Sequence, residues 1–396
     1  QIDIGGVALL RAAAKNFAHA AAVCRPDQYH AVTEALRSGK GQLPTLLARQ
    51  LAVAAFELTS RYDTAISGYL VAGDGGAAAS AELPERLSAS IRKRQALRYG
   101  ENPHQRGAWY VPDAGPVRGL GTLIQWQGKE LSYNNLLDVD AAVRCLLGFD
   151  EPACAVVKHH SQCGLACAGT SQDAYERAHA CDPESAFGGI VGLNRPVDAA
   201  LARLLTATFL EVVAAPEIAA EAAAFFAKKP NLRVVTLEWP AQAPREPEWR
   251  HILGGWLVQD PDTAAWDPQR LSVATKRAPT SQEQADLQFA WQAATHVLSN
   301  GIVLARDRAT VGIGQGQPSR VGSVRLAIAK AGERGRGAVA ASDGFFPFPD
   351  GIALLAGAGV TAVIQPGGSI RDAEVIAAAD AAGLAMWMTG VRHFRH

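Results

Sequence analysis

A chain of 396 residues has room for two to three domains at roughly 150 residues each. Its 38 basic and 38 acidic residues cancel, which argues against a general nucleic-acid or membrane-surface binder while leaving room for a local basic pocket for one anionic ligand. Apolar residues make up 48%, enough for a large core, and no apolar run approaches the ~20 residues that span a bilayer.

The chain opens on Gln1 with no basic-then-apolar leader, so it reads as the remainder of something longer. Five of its six cysteines, Cys145, Cys154, Cys163, Cys167 and Cys181, fall within 37 residues, and none forms a C-x-x-C; Cys24 stands apart. Reduced, cytoplasmic cysteines suit so large and apolar a chain better than a disulfide scaffold.

In chain order, 7–16 reads as a helix, 21–24 as a short strand, and a helix opens near Pro26-Asp27. A long Ala/Leu-rich helix follows over 43–70. The Gly/Ala/Ser run Gly73–Ala81 reads as a linker, which places a domain boundary between about 72 and 90. Beyond Arg98, apolar runs alternate with helical segments: helix 134–147, strand 153–157, helix 171–180, strand 189–193, helix 283–298 and a hairpin from 301–305 and 310–313. Then come helix 323–331, strand 338–341, helix 351–359, strand 361–364, helix 374–382 and strand 384–388. This alternation predicts an α/β fold with a largely parallel or mixed sheet, and no short-period repeat is visible.

The run Val157-Lys158-His159-His160-Ser161-Gln162-Cys163-Gly164 ends the strand 153–157, with Gly164 as its turn signal. It sets a cation beside an imidazole at a strand end, where open α/β sheets place ligands. The alternative is a solvated Lys-His pair. A metal reading of Cys163 and Cys167 with His159 and His160 meets the wrong spacing for structural zinc. A Cys163 nucleophile would need Lys158 and His159 to lower its pKa. There is no P-loop, no G-x-S-x-G, no H-E-x-x-H and no zinc-deaminase signature. Gly312–Gly316 lacks the third glycine of the dinucleotide fingerprint and reads as a hairpin or a close backbone approach to a ligand. The Gly-rich turn before Arg371-Asp372 opens a helix, a natural anion or backbone-contact site.

Ten ordered blocks then carry a resemblance: LRYGENPHQ (97–105), GKELSYNNLLDVDAA (128–142), VVKHHSQCG (156–164), DPESAFGGIVGLNRPVD (182–198), TKRAPT (275–280), SNGIVLARDRATVGIG (299–314), GQPSRV (316–321), SDGFFPF (342–348), VIQPGGSIRD (363–372) and TGVRHFRH (389–396). Together they resemble the transformylase half of the bifunctional AICAR transformylase/IMP cyclohydrolase family. IDIGGVALLRAAAKN (2–16) resembles the later part of its cyclohydrolase domain, whose first hundred or so residues are absent here; Asp3 and Lys15 match positions associated with cyclisation. Ring closure by this chain alone is not expected.

The resemblance implies a division into 1–88 (end of the cyclohydrolase domain and linker), 89–260 and 261–396 (transformylase subdomains). The fold it implies is two cytidine-deaminase-like three-layer subdomains after a partial, mostly helical MGS-like segment. The implied reaction transfers a formyl group from 10-formyltetrahydrofolate to the 5-amino group of AICAR. Lys158, His159 and Asn300 would be catalytic. Arg98, Tyr99, Arg320, Phe345 and Arg392 would bind the nucleotide, with Asn300 and Arg320 at its carboxamide. Phe346, Pro347, Phe348 and Gly351 would bind the folate. A homodimer with shared active sites, a structural monovalent cation and no zinc are implied, with no nucleic-acid or membrane partner. The chain departs from the family pattern at Ser161-Gln162 (usually Asn-Pro), Pro318 (Met or Gln), Gly344 (Ala) and Pro349 (Arg). Three other classes stand beside this one: a paralogue for a related aminoimidazole nucleotide, an amidohydrolase or deaminase-like enzyme on the same fold, and a non-catalytic nucleotide-binding remnant.

Overall fold

The computed structural model describes residues 1–72, 83–113, 115–240 and 246–396. The linker expected at Gly73–Ala81 lies outside them. Contacts divide the chain into two units, Gln1–Arg92 with Pro112–Gly115, and Lys93–Val111 with Pro116–His396.

The first unit is helical over its first 72 residues: α1 (Gly5–Lys15), α2 (Tyr29–Ser38) and α3 (Thr45–Ala72). The strand expected at 21–24 does not form. Four apolar residues make a strand only beside a partner, and here Ala22 packs instead with Ala52 and Ala55 of α3 and Ala14 of α1.

The strands β1 (Ile91–Leu97) and β2 (Gly107–Pro112), most of whose residues belong to the second unit, form a two-stranded sheet. A twelve-stranded mixed sheet follows, and it is built twice over. The first pass runs β3 (Ile124–Gln127), α4 (Tyr133–Leu146), the hairpin β4 (Ala153–Lys158) and β5 (Ser161–Cys167), α5 (Ser171–His179), the single turn α6 (Pro183–Ala186), β6 (Gly189–Leu193), α7 (Ala199–Ala207), β7 (Leu210–Ala215), α8 (Ala223–Phe226) and β8 (Arg233–Thr236). A two-stranded hairpin, β9 (Glu248–Ile252) and β10 (Gly255–Gln259), separates this from the second pass. That pass runs β11 (Ser272–Val273), α9 (Ser281–Ala294), the hairpin β12 (Ile302–Arg306) and β13 (Ala309–Gly314), α10 (Arg320–Ala331), β14 (Val339–Ser342), α11 (Asp350–Gly357), β15 (Ala362–Gln365), α12 (Asp372–Ala381) and β16 (Ala385–Met388).

Read outward from the centre, the halves match strand for strand. In each, the hairpin meets its next neighbour antiparallel (β4–β6, β12–β14), two parallel pairings follow (β6–β7–β8, β14–β15–β16), and an antiparallel edge strand closes it (β3, β11). The hairpins join where Ala309 pairs with Ala166. The strands are near-continuous apolar runs because helices cover both faces. Val157, Ile190, Val212 and Val235 point to α4, while their neighbours Val156, Val191, Val213 and Val234 point to α5 and α7. In the second half α9 covers one face and α10, α11 and α12 the other.

The turn assigned to Gly164 belongs elsewhere. The chain reverses at His159-His160, and Gly164 lies inside β5. A Cβ on Gly164 would sit 1.9 Å from the Ala178 carbonyl oxygen of α5, so the glycine lets helix and strand approach. Gly312 does the same in β13, where a Cβ would lie 2.3 Å from the Ala327 carbonyl oxygen of α10. The close approach expected in the 312–316 run is therefore to a helix.

Candidate active site

Both hairpin turns place two non-glycine residues in the left-handed region, as a type I′ turn requires: His159 (φ 51°) and His160 (φ 60°), then Asp307 (φ 52°) and Arg308 (φ 59°). Each such residue costs roughly 1–2 kcal/mol, so something must hold the turn. At the first turn this is the buried Asp138 of α4. One carboxylate oxygen accepts the His160 N–H at 2.5 Å and the other the His159 N–H at 3.2 Å. Hydrogen bonds to a charged group contribute about 1.5–3 kcal/mol each, enough to offset the strain. Burial pushes the Asp138 carboxyl above its ordinary pKa, against the pull of those two donors.

The turn presents different chemistry on each side. Lys158, at the end of β4, donates through Nζ to the Phe187 carbonyl at 2.7 Å. The His159 side chain is exposed. His160 is half-buried, and its Nε2 lies 3.3 Å from Arg395 Nη2. Burial, and then the Arg395 cation, lower its pKa. Arg395 also accepts the Ser299 N–H through its carbonyl, and Gln315 bridges Gln162 O (2.9 Å) to the Leu298 N–H (3.2 Å). Loops of the second half thus close around the first half's turn. The Gln162 side chain is buried and donates to Cys145 Sγ at 3.4 Å. Burial pushes the Cys163 and Cys167 thiols up to about 12, which favours their protonated forms.

A cavity of about 420 Å³ opens in the second half between Asn300, Pro318, Arg320, Phe345, Pro347, Phe348 and Phe394. Three aromatic rings and two prolines give it flat walls. Its polar wall is built from below. Arg320, 6% exposed, donates to Gly301 O at 3.1 Å and pairs with the fully buried Asp343, which also accepts from Ser299 Oγ at 2.5 Å. The Arg320 Nε has no partner among the described residues. Asn300 Nδ2 donates to Gln317 O at 2.9 Å, and its carbonyl accepts from Ser323 Oγ at 2.6 Å. The Arg371 guanidinium stacks over Phe348 at 4.8 Å. Gly344 stands where a Cβ would come within 2.6 Å of the Phe394 ring, so alanine would not fit beside this ring position.

The structure gathers Asn300, Arg320, Phe345, Pro347 and Phe348 around one cavity. Phe346, expected beside them, turns into the core at 1% exposure, and the buried Gly351 packs against its ring. Alternation along the loop is the reason: Phe345 and Pro347 face the cavity while the residue between them cannot. Lys158 and His159 do not line this cavity. Arg98 and Tyr99 sit in their own loop, joined at 2.8 Å and stacked at 4.7 Å. The exposed Arg392 stacks on Phe394 at 4.7 Å, which brings it to the rim. Asp3 and Lys15 are exposed in the first unit, where the Asp3 N–H meets Tyr62 Oη at 2.7 Å. The Gly-rich turn before α12 is already served: Asp372 accepts the Gly368 N–H at 2.7 Å. Sequence reading passed over Asp138, Asp343, Gln315 and Phe394. Each lies inside a quoted block or beside one, and only the fold gives it a partner.

The family model described as AICARFT/IMPCHase bienzyme matches residues 13–330. Bifunctional purine biosynthesis protein PurH of Parasynechococcus marenigrum is 50% identical over 402 residues, spanning 100% of this chain and 76% of that protein. The proteins of the same name from Nostoc punctiforme (47% over 397 residues) and Cereibacter sphaeroides (49% over 410) match over the same shares. A solved structure titled Acinetobacter baumannii RibD, form 2, overlaps 27% of this chain at 20% identity and a TM-score of 0.21, too slight a likeness to bear on the fold. No helix among the described residues is long and apolar enough to cross a membrane. By the extent of these matches, the chain belongs to the AICARFT/IMPCHase bienzyme family.

Proposed function

We propose that this chain is a purine-biosynthetic AICAR formyltransferase, moving a formyl group from 10-formyltetrahydrofolate to the 5-amino group of AICAR. The observation that carries the reading is the Asp138-held turn, which sets an exposed imidazole next to an ammonium at the end of a central strand. The acceptor amine is conjugated to a carboxamide and is a poor nucleophile. It needs a base as it attacks, and the formyl oxygen needs a cation as charge builds on it. His159 takes the amine proton and Lys158 steadies the oxyanion. The new C–N bond forms as the bond from the formyl carbon to the folate N10 breaks, and the proton passes to that nitrogen. No covalent enzyme intermediate is needed, in keeping with a protonated Cys163.

Arg98, Tyr99 and Arg392 are proposed to hold the nucleotide phosphate and ribose, since guanidinium forks match phosphate geometry. Asn300 and Arg320 face the carboxamide. Phe345, Pro347 and Phe348 receive the flat heterocycle, with Phe346 and Gly351 supporting that wall from behind. Lys158 and His159 stand off the cavity wall of their own chain, which favours a homodimer whose sites are completed by the partner. The halves of the large sheet are read as the two deaminase-like subdomains, 89–260 and 261–396, and residues 1–88 as the end of the MGS-like cyclohydrolase domain and linker. The monovalent cation implied by the resemblance enters none of these steps.

Incubation with AICAR and 10-formyltetrahydrofolate should release tetrahydrofolate in an AICAR-dependent way. Ammonia release without folate would point instead to an amidohydrolase, and AICAR binding without turnover to a non-catalytic remnant. Turnover only with another aminoimidazole nucleotide would point to a paralogue, for which Pro318 on the cavity wall is the structural reason.

A further inference from the structure

Asp138 takes part in no step above, yet its place in the fold occurs twice. It is the sixth residue after Ser132, the N-cap of α4, and Asp286 is the sixth after Thr280, the N-cap of α9; both helices start with a capping box. Each aspartate then accepts the N–H of a residue 22 positions on, His160 at 2.5 Å and Arg308 at 2.7 Å. The second oxygens differ. That of Asp138 accepts the His159 N–H at 3.2 Å, whereas that of Asp286 accepts Gln282 Nε2, at 3.2 Å, within its own helix. The first turn is therefore held at both central residues and the second at one. The added bond falls on the residue whose ring is exposed.

We propose that Asp138 is a positioning residue for formyl transfer. It fixes the backbone of His159 in the left-handed region and so aims the His159 ring and, one residue earlier, Lys158. Among the described residues its oxygens accept hydrogen bonds only from the backbone N–H groups of that turn, so it acts through these two side chains. This rests on the formyltransferase reading. Asp286, which grips the matching turn where Arg306 and Asp307 stand in the places of Lys158 and His159, supplies an internal control for mere loss of stability.

The test compares Asp138→Asn with Asp286→Asn by steady-state kinetics and thermal melting. Asn keeps the shape but only one acceptor oxygen, so one of the two grips is lost. For Asp138→Asn, kcat should fall about tenfold or more, because small misplacement of a reacting group is costly, while KM for AICAR stays within about threefold. Asp138→Glu, which keeps two acceptor oxygens, should lie between wild type and the Asn variant. Asp286→Asn should lower the melting temperature at least as much and leave kcat within about twofold. Equal losses of kcat in the two Asn variants, or a change confined to KM, would overturn the proposal. If Asp138→Asn does not fold, Asp138→Glu against Asp286→Glu decides by the same criterion. A wild-type chain that releases no tetrahydrofolate would defeat the formyltransferase reading itself, an outcome distinct from these.

Discussion

The two hairpins at the centre of the sheet share strand pairing, turn geometry and an aspartate grip, and they differ in what the turn carries. The first presents Lys158 and an exposed His159, with His160 against Arg395. The second is closed by ion pairs and carbonyl contacts: Arg308 reaches Glu151 at 2.8 Å, and Arg177 donates to the Asp307 carbonyl. That grip holds the Glu151 carboxyl below its ordinary range. On the proposed function, one backbone design serves once as an active turn and once as a structural joint. The fold supplies a strained platform, and a few side chains decide whether it does chemistry.

The largest effect belongs to the buried pair Arg320–Asp343, which has no buried twin among the described residues of the first half. Arg320→Met leaves an uncompensated buried carboxylate and should cost about 3–5 kcal/mol in denaturant unfolding. A loss under about 1 kcal/mol would show that Asp343 finds another partner. Next come the glycines at matched positions. Gly164→Ala and Gly312→Ala each force a Cβ against a helix carbonyl and should cost at least about 2 kcal/mol apiece. Unequal costs would show that one half absorbs strain better than its twin.

A smaller effect separates the capping boxes. That of α4 uses the neutral Asn135, and that of α9 uses Glu283. Burial alone would raise the Glu283 carboxyl, but Arg277, bound through both oxygens at 2.8 and 2.9 Å, and the Thr280 N–H hold it down to about 2. A depressed carboxyl stabilises the fold above its unfolded pKa of 4.5 and loses that contribution as pH falls from 4.5 toward 2. Glu283→Gln should flatten the acid limb of a stability-against-pH curve in that window. An unchanged limb would remove Glu283 from the account.

Much of this was readable in the residues. The continuous runs of β4, β6 and β12 announce strands buried on both faces, and the chemistry-bearing blocks were visible as blocks. The twofold construction was expected only through the family resemblance, because it lies in strand order, and edge strands of two to four residues such as β11 and β3 carry too little pattern. Strand β5 was missed because its turn uses His159-His160 where Asn-Gly is the familiar signal, and because its glycine serves a packed helix. Phe345 and Phe346 look alike in sequence. Only the loop's alternation sends one to the cavity and the other to the core.

Formyl transfer is proposed to occur at the first turn and not at its twin. The direct measurement is the rate of AICAR-dependent tetrahydrofolate release by wild type, Lys158→Met and Arg308→Met, with melting temperatures recorded alongside. Lys158→Met should be about 100-fold or more slower at nearly unchanged stability, as an amine lost from a turn alters folding by about ±0.5 kcal/mol, while Arg308→Met keeps its rate. A Lys158→Met enzyme as fast as wild type, or an Arg308→Met enzyme equally slow, would contradict it.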